Sequence, residues 1–471
     1  MATPIISESK YRTVKQTIQN RHVKFLLLNN NLQTLDELSG NVISGSFTVD
    51  ANADIRRTGS LDLVVTDSTF EVEPGGRIWL DRLIQVFVGN EDLFTGQIDW
   101  VNLGIYIIDA PSYKYSIDTN TLTLTLLDLM ARMTGTRNGY LPGIPTVISA
   151  GENIRSAIIS TLKDLGGFSK YICSEAPSPG TVPIELKFEK GSTVYDILVG
   201  LKDIYPNYEI FFDVDGVFHY QPIPTGKDEL VYFDDDLWNE IEIDESINVD
   251  FANVKNAIEV YGRTHNPTHY STATTISGST VQLTIASVTE YTEELIYGFT
   301  TPKLSSPVSC SSLQIGSLGT KTLKDEAGKT PKLESEIYYC AQYKSGAFVF
   351  LGRYQAYGYA EDNNPQSPFY VKGTLGKILI PLYDGEYSNC LTDDLAKQRA
   401  EYELYLHTRM NDSIDLTCVP AYFLDVNILV NFSKKDTTTP LPYLIKSINF
   451  GLGPEDSMSI NMIRYYPAYP T

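Results

Sequence analysis

Histidine and cysteine are scarce in this chain of 471 residues, with five of each, and tryptophan is rarer still at three. The histidines, His22, His219, His265, His269 and His407, form no H-E-x-x-H or other compact ligand spacing. His265 and His269 stand four apart, but Pro267 between them opposes the helix that would bring them together, so the pair reads as loop. Cys173, Cys310, Cys340, Cys390 and Cys418 are odd in number, widely separated and without a C-x-x-C pair, a pattern of buried free thiols in a reducing compartment and not of a disulfide framework or zinc site. No apolar run approaches the ~18 residues of a membrane span, and the opening MATPIISESKYR has no apolar segment behind a basic start. The expectation is a chain made soluble in the cytoplasm, with no stable membrane insertion. Positive charge is also short: 37 Lys and Arg face 58 Asp and Glu, for a net −21. That balance argues against nucleic acid as a primary ligand, since phosphate recognition needs a basic surface. It also suits a self-assembling protein that must stay soluble until its partners arrive.

Catalytic and cofactor motifs are missing too. Gly328-Lys329-Thr330 imitates the end of a phosphate loop, but Leu323 stands where the first glycine belongs. Asp213-x-Asp215-Gly216 imitates a calcium loop, but Pro222 occupies the place of the bidentate glutamate. No G-x-S-x-G elbow occurs, and Gly451-x-Gly453 lacks the third glycine of a dinucleotide fingerprint. The densest acidic run, Asp234-Asp235-Asp236 with Glu240, Glu242 and Asp244, contains candidate acid pairs for a glycosidase, Asp236 and Glu240 among them, though a solvated acidic face is the commoner meaning. Tyr291, Tyr297 and Phe299, then Tyr338, Tyr339, Tyr343, Phe348, Phe350, Tyr354, Tyr357 and Tyr359, are candidate sugar-stacking groups or, more commonly, core and interface residues. The reading is therefore no catalytic, cofactor-binding or metal-ligating residue, no cofactor, and no enzyme.

What the chain does contain is strand. Its 31 tyrosines, with abundant Thr, Ser and Val, lean toward sheet, and the length suits roughly three domains of ~150 residues. From Asn41, ISGSFTVD, GSLDLVVTD, RIWLDRLIQVFVG, LFTGQIDW and GIYIIDA are successive candidate strands, with Glu73-Pro74-Gly75-Gly76 and Asn90-Glu91-Asp92 as turns. Gly104 to Met133 reads as two alternating strands, the first closed by Pro111, running into a short amphipathic helix. In it Tyr106 and Ile108 oppose Ile105 and Ile107, and Leu122, Leu124 and Leu126 alternate with Thr121, Thr123 and Thr125. Residues 136–227 read as a small α/β domain. It has a helix with Ser149 and Glu152 in capping-box spacing, a second helix capped by Ser192 and carrying Val194, Ile197, Leu198 and Leu201, and a hairpin turning at Asp215-Gly216. Near the C-terminus Thr392 caps a helix with Leu395, Tyr402, Leu406 and Met410 on one stripe, followed by SIDLTCVP, LDVNILVNF, YLIKSINF and SMSINMIRYY.

The strand–strand–helix run at 104–133, the segment FANVKNAIEVYGR, and the closing order of helix, DLTCVPAYFLDVNILVNF and LIKSINFGLGPEDSMSINMI resemble bacteriophage tail-hub (baseplate-hub or tail-tip) proteins of the late-control protein D type. The resemblance spans about 41–265 and 370–471. It implies a mainly β fold with α+β elements: an N-terminal arm (1–40), a first β-barrel (41–135), the small α/β domain (136–227), a second barrel (228–265 plus 370–471), and an inserted β-rich subdomain or long loops (266–369). It further implies a structural virion protein of the tail tip. As a homotrimer it would make a pseudo-sixfold ring between the sixfold tail tube or distal tail protein and a threefold spike or fibre. Such a ring would contact the tape-measure protein and pass genome DNA through its lumen without specific binding. The alternatives are a host-surface glycan-binding adhesin and a tail-associated cell-wall hydrolase.

Overall fold

A computed structural model describes residues 8–38, 42–115, 117–118, 120–143, 145–183, 185–224, 235–325, 328–408, 411–435, 439–453 and 455–465. Its largest sheet has twelve strands. In chain order these are β1 (Arg21–Leu28), β2 (Thr34–Glu37), β3 (Val42–Asp50), β4 (Arg57–Val64), β5 (Leu83–Glu91), β6 (Ile98–Tyr115), β7 (Asn120–Asp128), β8 (Glu242–Asp250), β9 (Asn411–Cys418), β10 (Leu429–Phe432), β11 (Leu441–Gly451) and β12 (Met458–Arg464). Hydrogen bonding runs β8-β9-β12-β11-β3-β4-β7-β6-β5-β1-β2, with β10 on β11. The mainly β class with α+β elements is what the structure shows, and the strands expected in two barrels are continuous through the β3–β11 pair. Residues 21–37, read as part of an arm, contribute β1 and β2 to the same sheet.

The alternation legible in the sequence explains the sheet. Phe47, Val49, Leu61, Leu63, Leu122, Leu124, Leu126, Ile414, Leu416, Ile448, Phe450, Ile460 and Met462 point to one side and form a single buried cluster. Helix α4 (Asp235–Ile241) lays Leu237, Trp238 and Ile241 on that cluster, and the Trp238 indole donates to the Asn431 carbonyl at 2.8 Å.

Strand β6 departs from expectation. QIDW and GIYIIDA are one strand of 18 residues, and LFTG is the turn before it, folded around Asp92, which accepts from Phe94 N. Pro111 does not close the strand. β5 leaves β6 at Ile107, so beyond that point β6 has one neighbouring strand, β7, and a proline is tolerated on such an edge. Both faces of β6 are buried: Tyr106 and Ile108 enter the sheet core, and Ile105 and Ile107 enter a second core. The helix expected after β7 is a single 3-10 turn, Leu129–Arg132, capped by Asp128.

That second core belongs to the α/β unit. Helices α2 (Ile154–Ser160) and α3 (Val194–Lys202) pack Ile154, Ile158, Val194, Ile197, Leu198 and Leu201 against Phe212, Phe218 and Tyr220. Two caps lie one or more residues from their expected places. Asn153, not Ser149, caps α2 by accepting from Ser156 N, while the Ser149 carbonyl closes the preceding turn by accepting from Glu152 N at 3.3 Å. Thr193, not Ser192, caps α3, in a reciprocal capping box with Asp196. The hairpin at Asp215-Gly216 is a five-residue loop, 213–217, with Gly216 at φ +71°.

Ala257–Thr264 does not join the large sheet. It lies between Gln355–Glu361 and Leu379–Leu382 in a three-stranded sheet covered by α5 (Asp393–His407). A Cβ on Gly358 would sit 2.1 Å from the Ala396 carbonyl carbon, so the helix rests directly on the strand there. Thr392 caps α5 as expected, but its buried stripe is Ala396, Arg399, Ala400 and Glu403, not Leu395, Tyr402 and Leu406; Met410 lies outside the described residues. The charged pair tolerates burial because Arg399 bonds Glu403 at 2.8 Å and also reaches Glu386. Within the insertion, His269–Arg353 forms an eight-stranded sheet with its own core of Tyr297, Phe299, Leu313, Leu323, Tyr339 and Phe348.

Leu124 is fully buried at the centre of the large sheet. Leu124→Ala should lower unfolding stability by about 2–5 kcal/mol in denaturant titration, as cavity-forming leucine truncations do. A loss below about 1 kcal/mol would show that the site collapses around the smaller side chain.

Candidate functional site

The residues that sequence reasoning weighed for chemistry do not converge. His265 is buried and pushed down to about 4 by desolvation and by the Arg263 charge, whereas His269 stacks on Tyr297 and meets Ser287. Gly328-Lys329-Thr330 is a polar turn in which Asp325 accepts from Lys329 N. Asp213 closes its hairpin by accepting from Asp215 N, Val217 N and the His219 ring. Burial works against its charge, but those bonds outweigh it and its pKa is lowered. Asp234 and the side chains of Asp235 and Asp236 lie outside the described residues, and Glu240 is half exposed beside Lys15 at 3.8 Å. The five cysteines are buried free thiols, with burial raising Cys173 to about 11 and Cys340, Cys390 and Cys418 to about 12. Most of the aromatic cluster is core: Tyr291, Tyr297, Phe299, Tyr339, Tyr343, Phe348 and Phe350 pack inside or against the eight-stranded sheet. Tyr357 and Tyr359 instead line the three-stranded sheet, bonded to Glu259 and Glu361. Among the described residues, no cluster of three or more His, Cys, Asp or Glu side chains is placed to hold a metal.

The distinctive surface is the outward face of the large sheet. Opposite the apolar positions, the residues from β8 to β7 are Asp244, Ser246 and Asn248; Ser413, Asp415 and Thr417; Ser459 and Asn461; Ser447 and Asn449; Ser46 and Thr48; Thr58, Ser60 and Asp62; and Thr121, Thr123 and Thr125. They carry hydroxyls, amides and carboxylates, with no Lys or Arg among them; Ile463 opposite Ser413 and Val64 opposite Thr121 are aliphatic members of the face, and Lys114 stands opposite Thr121 on the next strand, β6. Cross-strand bonds tie them together. Asp415 accepts from Asn248 at 3.1 Å and Asn461 at 2.7 Å, Thr48 donates to Asn449 at 2.7 Å, Ser46 meets Ser60 at 2.9 Å, and Asp62 accepts from Ser44 at 2.7 Å and Thr123 at 2.6 Å. The Leu/Thr alternation of β7 announced part of this face, but its continuity across seven strands depends on pairing that the sequence does not display.

Sequence reasoning missed a buried ionic junction at the Arg57 end of β4, in the middle of this sheet. Arg56 meets Glu209 at 2.5 Å and lies 3.9 Å over the Phe211 ring, while Asn427 donates to the same carboxylate at 2.6 Å. Arg57 pairs with Asp425 and donates to the Phe212 carbonyl at 2.6 Å. Asp128 accepts from Arg57 N at 2.9 Å and Met130 N at 2.8 Å. Burial raises the Asp128 pKa, and it opposes the Arg57 charge, which Asp425 and Asp128 more than restore. Adjacent arginines at the start of a strand are the available signal.

A domain of unknown function, DUF5048, matches residues 366–469. No curated protein matches the chain. Among solved structures, the tail protein from Neisseria meningitidis MC58 superposes with a TM-score of 0.51 at 9% identity, covering 94% of this chain and 97% of the other. The 43 kDa tail protein of prophage MuSo2 from Shewanella oneidensis gives 0.50 at 11% identity, covering 94% and 98%. At these identities the likeness establishes the fold: this chain is folded as phage tail proteins are. No helix among the described residues is long and apolar enough to cross a membrane.

Two outcomes follow from the buried charges. The His265 ring binds its proton near pH 4 when folded and near 6.5 when unfolded, so its contribution to stability is present above pH 6.5 and is lost as pH falls toward 4. His265→Gln should remove as much as about 3 kcal/mol of that pH dependence, seen as a shallower fall in melting temperature from pH 6.5 to 4 than in the parent chain. Glu209→Ala strands the buried Arg56 charge and should cost about 3–5 kcal/mol in denaturant titration, whereas removing an exposed partner such as Glu175 should cost under about 1.

Proposed function

We propose that this chain is a structural tail-hub protein of a phage virion, without catalytic activity. Three copies form a pseudo-sixfold ring that joins the sixfold tail tube or distal tail protein to a threefold spike or fibre, next to the tape-measure protein. The observation that carries this reading is the polar outward face of the large sheet from β8 to β7, a stretch that carries no Lys or Arg. A channel for genome DNA has to pass phosphate without holding it. Hydroxyls, amides and scattered carboxylates, already bonded to one another, give the duplex no counter-ion to settle on, and carboxylates repel it. The net −21 of the chain favours the same outcome. Each copy brings two strand clusters joined edge to edge, the arrangement from which a threefold ring presents six similar units to a sixfold tube. The place of such a protein is the tail tip, and DNA passes it without specific recognition.

The test is the symmetry of this chain in an electron-microscopy reconstruction of its particle, or of the purified protein. A threefold ring with the polar face toward an open lumen is expected. A monomer, or copies hung separately on the outside of a tail, would overturn the hub and put the glycan-binding adhesin first.

A further inference from the structure

The large sheet has two open edges of different character. At one end is β8, and among the described residues no strand lies beyond it. Toward the other end β5 leaves β6 at Ile107, so residues 110–115 pair with β7 alone. From one open edge to the other the order is β8-β9-β12-β11-β3-β4-β7-β6, eight strands with every neighbouring pair antiparallel. β8 therefore runs opposite to β6.

The edges match on both faces. On the polar side β8 presents Asp244, Ser246 and Asn248, and β6 presents Ala110, Ser112 and Lys114, which lie opposite Thr125, Thr123 and Thr121. On the core side β8 has Ile247 and Val249, 40% and 44% exposed, and β6 has Tyr113 stacked at 5.9 Å on Tyr115, which is 64% exposed. Glu242 and Glu245 share that core side, opposite Cys418 and Leu416, and are served within the chain by Lys435, whose charge offsets Glu242 and whose main-chain N–H bonds Glu245. The charges left to pair are on the polar side. Asp244 and Lys114 are both exposed, and among the described residues neither is ion-paired.

Like edges repel. Two β8 strands would set carboxylate against carboxylate, and two β6 strands would set lysine against lysine with Pro111 withholding an N–H from each. β2, at the far end of the sheet, is four residues long, and its Asp36 is held by Arg77 at 2.5 Å. The unlike pairing has none of these faults. Rotation about an axis preserves strand direction and keeps each face on its own side, so β8 of one copy meets β6 of the next antiparallel, polar side continuous with polar side. Closing strands into a barrel also requires a stagger along them. Followed pair by pair, the row through Asp244 arrives on β6 at Ile107, several positions before the open stretch, so joining the edges supplies one.

We propose that β8 of each copy adds to residues 110–115 of β6 in the next copy, with Asp244 facing Lys114 across the seam and Ile247 and Val249 lying against Tyr113 and Tyr115. The inference rests on the tail-hub reading and names the contact that builds its ring. A head-to-tail contact of this kind closes when the rotation allows, leaves no open edge between copies, and neutralises the lysine that borders the polar face.

The test compares the full-length chain with Lys114→Glu, Asp244→Lys and the double variant by sedimentation, with thermal melting to confirm that each is folded. Amide hydrogen exchange is followed as the parent chain assembles. Each single reversal should weaken assembly on the order of tenfold or more, the double variant should restore it, and exchange should slow at both 110–115 and 242–250. A ring that both single reversals leave intact, a double variant as weak as the singles, or assembly that leaves exchange at either edge unchanged overturns the seam and leaves the hub standing. A chain that stays monomeric at every concentration sinks the seam together with the ring.

Discussion

The structure depends on one pairing, that of β3 with β11. Five residues from Ser46 to Asp50 meet Ser447 to Gly451, nearly four hundred positions away, and make one sheet of what would otherwise be two. Closing so long a loop costs about 5 kcal/mol in its length-dependent term alone, so the contact must be reinforced. Phe47 and Phe450 stack at 5.8 Å on the buried side, and Thr48 bonds Asn449 at 2.7 Å on the other. Gly59 makes room for this. A Cβ there would come within 2.5 Å of the Phe47 ring, which therefore lies flat over β4. Between β7 and β9 the chain has to leave the sheet and return to it, which is why the α/β unit before β8, and the eight-stranded insertion and the α5 sheet after it, are excursions from a common frame.

The two faces of that frame obey different rules. The inner face is a hydrophobic core and is specified residue by residue through alternation. The outer face carries short polar side chains whose bonds run to the next strand, so their hydrogen-bonding capacity is used within the sheet. A surface of this kind resists association. It offers few apolar groups to bury and few charges to pair, and its side chains have little rotamer freedom left to lose. Such a face suits a wall past which something slides.

Local features were legible in the sequence, and their limits are physical. Leu122, Leu124 and Leu126 announced both β7 and its buried face, and Thr392 with its two following aspartates announced α5. The caps at Asn153 and Thr193 were misplaced because several polar residues precede each helix, and which one turns inward is settled by the packing of Ile154 and Val194. Pro111 looks like a strand end because a sequence does not show that β6 has lost one neighbour by that point. The stripe of α5 was misread because Arg399 and Glu403 are charged, and burial of such a pair depends on Glu386 and Tyr387 standing above it. The polar outer face lay in plain view as Ser, Thr and Asn at alternate positions, yet became a continuous surface only once β3 and β11 were paired.

The ionic junction is the least readable feature and fixes the relation between parts. Arg56 and Arg57 are neighbours in sequence but reach in different directions, one to Glu209 of the α/β unit and the other to Asp425 beside the C-terminal strands. Hydrophobic residues of similar volume would fill that space with comparable stability, since desolvation removes much of what a buried ion pair gains. Apolar contacts, however, tolerate sliding, whereas a guanidinium held by a carboxylate and a ring, as Arg56 is, or by a carboxylate and a carbonyl, as Arg57 is, has one satisfactory position. Asn427 and Lys446 extend the restraint, with Asn427 donating to Glu209 and accepting from Lys446 at 3.0 Å. The α/β unit is thereby locked to the middle of the large sheet, where β4 and β11 flank β3. A body whose parts are held in one register by directional bonds transmits position from one face to the other, which is the property a symmetry adaptor requires.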